Sequence, residues 1–250
     1  MKIICAGLSK TGTKSLTQAL RTLGYTVYDA TESYSYLIQQ WHDIVVNKKS
    51  PNFWSMYSDV DAVVDTPGNH FYREIFEAFP DAKVILTVRD SEDVWLKSFV
   101  NHMKRYYRYC VTRPLWQAVR VSPTHQMVYN VMIKVWELKY GSGATLLENE
   151  ATLKKVYREH NREVRETIPA NQLLVYNVRE GWGPLCDFLE CDKPNKAFPH
   201  LNIGGEIIDT HLPFYVVNEV GRTIVKETVL IFSVLVVLVA IVAYYFLNAI

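Results

Sequence analysis

The sequence is short of several things, and each shortage narrows the function. Of its 250 residues only four are cysteine, Cys5, Cys110, Cys186 and Cys191, and they form no Cys-x-x-Cys pair. That argues against a disulfide scaffold or a thiolate metal site and leaves reduced core or surface thiols as the expectation. Charge of one sign is not in excess, with 27 Lys and Arg against 26 Asp and Glu, and no long basic run occurs. Nucleic acid is therefore not an expected partner, and any anion site has to be local. Internal repeats, low-complexity tracts and Asn-x-Ser/Thr glycosylation sites are absent. No signal peptide is expected, because Lys2, Lys10 and Lys14 interrupt any apolar leader.

The most informative absence lies at the other end, where residues 228–250 carry no charged side chain. Residues 229–247 include fourteen Val, Leu, Ile or Phe. At roughly −0.3 to −0.6 kcal/mol each, membrane insertion is favoured by about 4–8 kcal/mol before small polar costs. A helix of that length also spans the roughly 30 Å hydrocarbon layer at about 1.5 Å per residue. Arg222 and Lys226 precede the span and no charge follows it, which places the N-terminal side in the cytosol. The expected organisation is an α/β domain over residues 1–211, a juxtamembrane linker over 212–227 and a transmembrane tail anchor over 228–250.

What the chain does have is a phosphate-type cradle at its start. The apolar run Ile3-Ile4-Cys5-Ala6 reads as a short buried strand, followed by Gly7-Leu8-Ser9-Lys10-Thr11-Gly12-Thr13-Lys14-Ser15-Leu16. Leu16, Ala19, Leu20 and Leu23 then recur at helical spacing. Strand, glycine-containing loop and helix aim backbone N–H groups and a helix N-terminus at one point, where an anion is favoured. A Walker A loop needs lysine directly after its second glycine, but Thr13 separates Gly12 from Lys14, so the match fails by one residue.

Further strands are expected over residues 25–29, 61–65, 83–88 and 173–176, alternating with helices. That alternation predicts a P-loop-type, mainly parallel sheet of about five strands flanked by helices. Residues 31–59 read as one or two helices on the substrate side. Residues 101–129 are basic and aromatic, suiting a lid over an anion, a patch facing anionic lipid or a solvated helix face. His102 and His125 stand there without any pattern that singles them out. The amphipathic stretch 147–168 reads as a helix with His160 in its packed stripe. Ligands of open α/β sheets sit beyond the carboxyl ends of strands, where the Lys10 loop, Asp65 and Arg89 all fall.

Five stretches in order carry a resemblance: the loop at Gly7 to Leu16, Val64-Asp65-Thr66-Pro67, Pro80-Asp81-Ala82-Lys83-Val84-Ile85-Leu86-Thr87-Val88-Arg89-Asp90, Val175-Tyr176-Asn177-Val178-Arg179-Glu180-Gly181-Trp182, and Phe198-Pro199-His200-Leu201-Asn202. Together they resemble the P-loop sulfotransferases of the branch called sulfotransferase family 4, over roughly residues 1–204. The resemblance implies 3′-phosphoadenosine 5′-phosphosulfate as co-substrate and no metal. It implies that Lys10 meets the transferred sulfuryl group, that Ser9, Thr11, Gly12, Thr13, Lys14 and Ser15 surround the 5′-phosphosulfate, and that Arg89 with Ser98 holds the 3′-phosphate. Ser91 is an alternative hydroxyl. Asp65 would be the base that orients the acceptor, ahead of His70 and Asp29. The chain departs from the better-known cytosolic enzymes in lacking their late Arg-Lys-Gly loop, and it carries Ser9-Lys10 where relatives often have Gly-Arg.

The expected reaction is in-line sulfuryl transfer to a hydroxyl or amine of a small-molecule or lipid acceptor, with the protein positioning groups and neutralising charge. Two other readings remain at this level: a P-loop nucleotide kinase or NTPase, and a membrane-anchored binding protein without turnover.

Overall fold

A computed structural model describes residues 1–112, 117–141, 149–201 and 219–248. Its centre is a sheet in the order β2-β3-β1-β4-β5, parallel at every pairing. The strands are β1 (Ile3–Cys5), β2 (Val27–Tyr28), β3 (Ala62–Val63), β4 (Lys83–Thr87) and β5 (Leu173–Tyr176). β1 is central, with Ile3 opposite Ala62 on one side and Lys83 on the other.

Successive side chains of a strand point to opposite faces, and β1 splits accordingly. Ile3 and Cys5 enter a core with Leu16, Leu20, Tyr176 and Leu185, contributed by α1 (Thr13–Thr22), β5 and the helix Trp182–Leu189. Ile4 and Ala6 enter the opposite core with Trp41, Phe53, Tyr57, Ile75, Val131 and Val164. That face is covered by α2 (Ala30–Tyr36), α3 (Ile38–Val45), α4 (Phe53–Tyr57), α5 (Tyr72–Ala78), α7 (Pro123–Tyr140) and α8 (Glu150–Thr167). The expected one or two helices over 31–59 are three, because Leu37 breaks the first run and Asn52 caps a new turn by accepting from the Ser55 N–H. α6 (Glu92–Thr112) crosses over the carboxyl ends of the strands and packs Trp95 and Phe99 against Leu8 and Tyr157. The Trp182–Leu189 helix is α9.

The last helix, α10 (Glu219–Asn248), is long and apolar enough to cross a membrane, and none of its residues from Val229 to Leu247 is buried in the protein. It starts nine residues before the expected span, within the stretch read as linker. Val220 and Ile224, one helical turn apart, are buried against Val119 and Val128, so this first part of the helix is docked on the domain. Residues 202–218, including Asn202 and the start of the expected linker, lie outside the described residues.

Candidate active site

β1 delivers the chain to the loop through a tight passage. A Cβ on Gly7 would sit 1.9 Å from Thr87 Oγ1, so only glycine lets the two strand ends lie this close. The Asn69 amide donates to Gly7 O at 3.0 Å, and His160 Nε2 lies 2.6 Å from Ala6 O. Lys10 then turns into the left-handed region, φ 73°. Gly12, φ 108°, is the N-cap of α1 and offers no capping side chain. The first α-helical hydrogen bond runs from the Leu16 N–H to Gly12 O at 3.0 Å. The first-turn N–H groups have no acceptor within the helix and point out of its positive end.

Asp65 faces this loop from the end of β3. It too has a positive φ, 66°, a conformation that costs an L-residue with a side chain on the order of 1–2 kcal/mol. Such strain persists where the surroundings over-determine it, and here they do. Ser9 Oγ donates to Asp65 Oδ1 at 2.7 Å, the Thr66 N–H donates to the same oxygen at 2.9 Å, and Thr13 Oγ1 donates to Oδ2 at 2.8 Å. The carboxylate thus ties both ends of the loop to β3 and keeps lone-pair capacity for one more donor.

Arg89 enters from the other side, at the end of β4. Its Nε donates to Lys10 O at 2.7 Å, its N–H donates to the Tyr157 hydroxyl at 3.0 Å, and the Trp95 indole N–H donates to Ser9 O at 3.1 Å. Arg179, following β5, stands close enough to depress the Arg89 pKa, after burial, the larger cause. Arg179 pairs with Asp90, which also accepts from the Asn177 amide at 2.6 Å. Two guanidinium groups therefore flank one edge of the loop. On the far edge Lys14 Nζ pairs with Asp29 Oδ2 at 2.6 Å. Asp29 is held below the usual carboxylate range: burial opposes this, and the Lys14 charge with hydrogen bonds to the carboxylate outweighs it.

The Lys10 ammonium feels this crowd. Burial lowers its pKa to about 8, with Asp65 opposing and Arg89, Arg105 and Lys14 adding to the fall. A cluster of cations held beside one carboxylate favours an anionic ligand, whose charge would relieve their mutual repulsion.

His102, from α6, is the residue that sequence pattern did not single out. Its Nδ1 is buried without a hydrogen-bond partner among the described residues. Burial foremost, then Lys10, lowers its pKa to about 4, so the imidazole beside Lys10 and Asp65 is neutral at pH 7. Two phenols, Tyr140 and Tyr34, also come within electrostatic reach of Asp65. The Tyr140 hydroxyl is buried without a hydrogen-bond partner among the described residues, and its ring meets that of His70 edge to face at 6.0 Å. Burial raises the Tyr140 and Tyr34 phenols, with Asp65 adding to each rise, and the Tyr34 hydroxyl lies beside Thr66. An aromatic-rich stretch gives no signal for such convergence, because it arises from helices distant in sequence.

The remaining loop residues occupy different roles. Thr11 is fully buried, with its hydroxyl donating to Leu8 O and lying 2.6 Å from Thr87 Oγ1. Ser15 Oγ accepts from the Leu201 N–H at 3.0 Å, fastening the Phe198-Pro199-His200 loop to the start of α1. Ser98 is half-buried on α6, one turn beyond Trp95. Ser91 begins α6, its hydroxyl accepting from the Val94 N–H at 3.2 Å.

Lys10, Lys14 and the open end of α1 thus gather donors and positive charge in the loop, and Arg89 with Arg179 adds two guanidinium groups beside it. A side chain at position 12 would collide with Val178, its Cβ 2.7 Å from that residue's γ-carbons, so the cradle depends on glycine there. A family model described as "Sulfotransferase domain" matches residues 2–207. The chain is also 27% identical over 244 residues, covering 86% of each chain, to "Ava biosynthesis cluster protein M" of Aspergillus versicolor. With its parallel sheet and its loop between Asp65 and Arg89, this chain belongs to the sulfotransferase domain family.

Proposed function

We propose that the protein transfers a sulfuryl group from 3′-phosphoadenosine 5′-phosphosulfate to a hydroxyl or amine acceptor, and that α10 tethers it to a membrane with the catalytic domain in the cytosol. The observation that carries the chemistry is Asp65, bonded to Ser9 and Thr13, beside Lys10 in a loop that Arg89 fastens from the other side. When bound, the nucleotide supplies an activated sulfuryl group.

The residues of the chain do the rest. Lys10, Lys14 and the first-turn N–H groups of α1 neutralise charge on the leaving 5′-phosphate oxygens as it develops. Lysine acts there as a compact point charge, not a bidentate fork. Arg89 and Arg179 hold the 3′-phosphate. Asp65 accepts the acceptor's proton, and its bonds from Ser9, Thr13 and the Thr66 N–H fix the direction in which its free lone pair points. Neutral His102 adds a hydrogen bond to the acceptor without adding another positive charge. Tyr34 and Tyr140 line the side from which the acceptor reaches Asp65. The tether follows from the 29 residues Glu219–Leu247, with Arg222 and Lys226 on the side read as cytosolic.

Thermal stabilisation by adenosine 3′,5′-bisphosphate against ATP with Mg²⁺ separates this reading from a kinase or NTPase. Sulfuryl transfer to a panel of alcohols, phenols and amines then separates it from a silent binding protein. Stabilisation by ATP alone would sink the proposal.

A further inference from the structure

The base of α10 is built into the domain. Val220 and Ile224 complete a small core with Val119 and Val128, and Thr228 is buried one turn further on. Glu227 locks the contact by accepting hydrogen bonds from Ser122 Oγ at 2.5 Å, Thr124 Oγ1 at 2.8 Å and the Thr124 N–H at 3.1 Å. A carboxylate at the N-terminus of α7 also complements the helix dipole. The helix runs unbroken from this dock into its apolar stretch. An uninterrupted helix transmits orientation, so the domain cannot swing freely beneath the membrane as it would on a coil linker.

The surface around the dock has the composition of a membrane interface. Val121, Tyr129 and Val225 are exposed there, interleaved with exposed Arg120, Arg222 and Lys226. Exposed apolar and aromatic side chains bordered by basic ones suit the headgroup layer. The same dock reaches toward the Asp65 site through Tyr34. Tyr34 packs on the Val220 and Ile224 core while its hydroxyl lies beside Thr66, next to Asp65.

We infer that the face formed by residues 119–129 and the base of α10 rests on the bilayer, and that the site at Asp65 takes its acceptor from that side. The acceptor class is then a membrane-resident amphiphile with a hydroxyl or amine near the headgroup layer. The acceptor half of this inference rests on the sulfuryl-transfer reading; the seating does not.

The test uses the full chain reconstituted in vesicles of phosphatidylcholine and phosphatidylserine, with the photoreactive residue benzoylphenylalanine placed at Val121 or Tyr129. Irradiation is expected to give phospholipid adducts at least tenfold above those at Asp187, an exposed residue on α9 across the sheet. Adducts at 121 and 129 no more frequent than at 187 would overturn the seating. In a second arm, Glu227→Ala is expected to cut sulfuryl transfer to vesicle-embedded hexadecanol about tenfold, with transfer to a water-soluble alcohol and adenosine 3′,5′-bisphosphate binding unchanged. Equal loss toward both alcohols, or no loss, would overturn the acceptor route. Adducts in a protein that transfers no sulfuryl group to any alcohol would uphold the seating and count against the donor chemistry instead.

Discussion

The Arg89 side chain donates from Nε to the Lys10 carbonyl across 2.7 Å, joining the ends of the fourth and first strands. One guanidinium edge is thereby committed to the loop, and the Nη groups remain for a ligand. Arg89→Lys removes the fork that serves both ends at once. It is expected to raise the dissociation constant for adenosine 3′,5′-bisphosphate about tenfold or more, the size of a charge-assisted hydrogen bond worth roughly 1.5–3 kcal/mol. Titration calorimetry reads the change directly, and unaltered affinity would remove Arg89 from the site.

Replacing Lys10 by alanine is expected to lower kcat about 10²–10³-fold, the range for losing one preorganised charge-stabilising donor. Because the Lys10 pKa is lowered to about 8, the ammonium is lost as pH rises through that value. Bisphosphate affinity should therefore weaken by about tenfold per pH unit above pH 8, since the free protein must take up a proton to bind. Lys10→Arg, which does not titrate in this range, should flatten the profile. A wild-type profile that is flat from pH 7 to 10 contradicts the assignment.

Asp65→Asn keeps an oxygen for Ser9 and the Thr66 N–H, and Thr13 can accept from the new amide. The fold and nucleotide binding should survive. Loss of the base is expected to lower kcat by about 10²–10⁴. Full activity in this variant would assign proton removal elsewhere, with His102 the next candidate.

Gly12→Ala places a Cβ 2.7 Å from the γ-carbons of Val178 on a backbone with φ 108°. Overpacking of this kind costs about 1–3 kcal/mol, and the first turn of α1 moves with it. The urea midpoint should fall and bisphosphate binding should weaken together. Gly24→Ala, also at positive φ but with nothing within 4 Å of its Cβ, separates backbone strain from the collision.

Buried neutral histidines make the protein acid-sensitive. Burial, as the main cause, lowers His102 to about 4 and His160 to about 3, against an ordinary value of 6.5. Both groups bind protons in the unfolded chain before they do in the folded one. Their contribution to stability is complete above pH 6.5 and drains away as pH falls from 6.5 toward 4. Urea midpoints at pH 7.5 and pH 5 should differ in that sense, and His102→Gln should narrow the difference. A midpoint that rises on acidification goes against both assignments.

Much of this was legible in the sequence because it is local. Short apolar and β-branched runs alternating with helical stretches placed the five strands, and the rule that ligands sit at strand carboxyl ends brought Lys10, Asp65 and Arg89 together. Three things were not legible, each for a physical reason. Asp65 binding Ser9 and Thr13 depends on β3 lying beside β1, and one sequence does not give strand order. His102 reaches Lys10 because α6 crosses over the strand ends, so its role belongs to the crossing and to no motif. The docked start of α10 was hidden by Glu219, Arg222, Lys226 and Glu227, which make residues 219–227 read as polar linker. The spacing of Val220, Ile224 and Thr228 on one helical face was the available signal.

A site with Arg89 and Arg179 at its edge should distinguish a nucleotide by its 3′-phosphate. Calorimetric titration of the full chain with adenosine 3′,5′-bisphosphate and with adenosine 5′-monophosphate, both in the presence of a chelator, measures it. The bisphosphate should bind at least tenfold more tightly, with the difference collapsing in Arg89→Ala. Equal affinity for the two nucleotides in the wild-type protein would contradict the account.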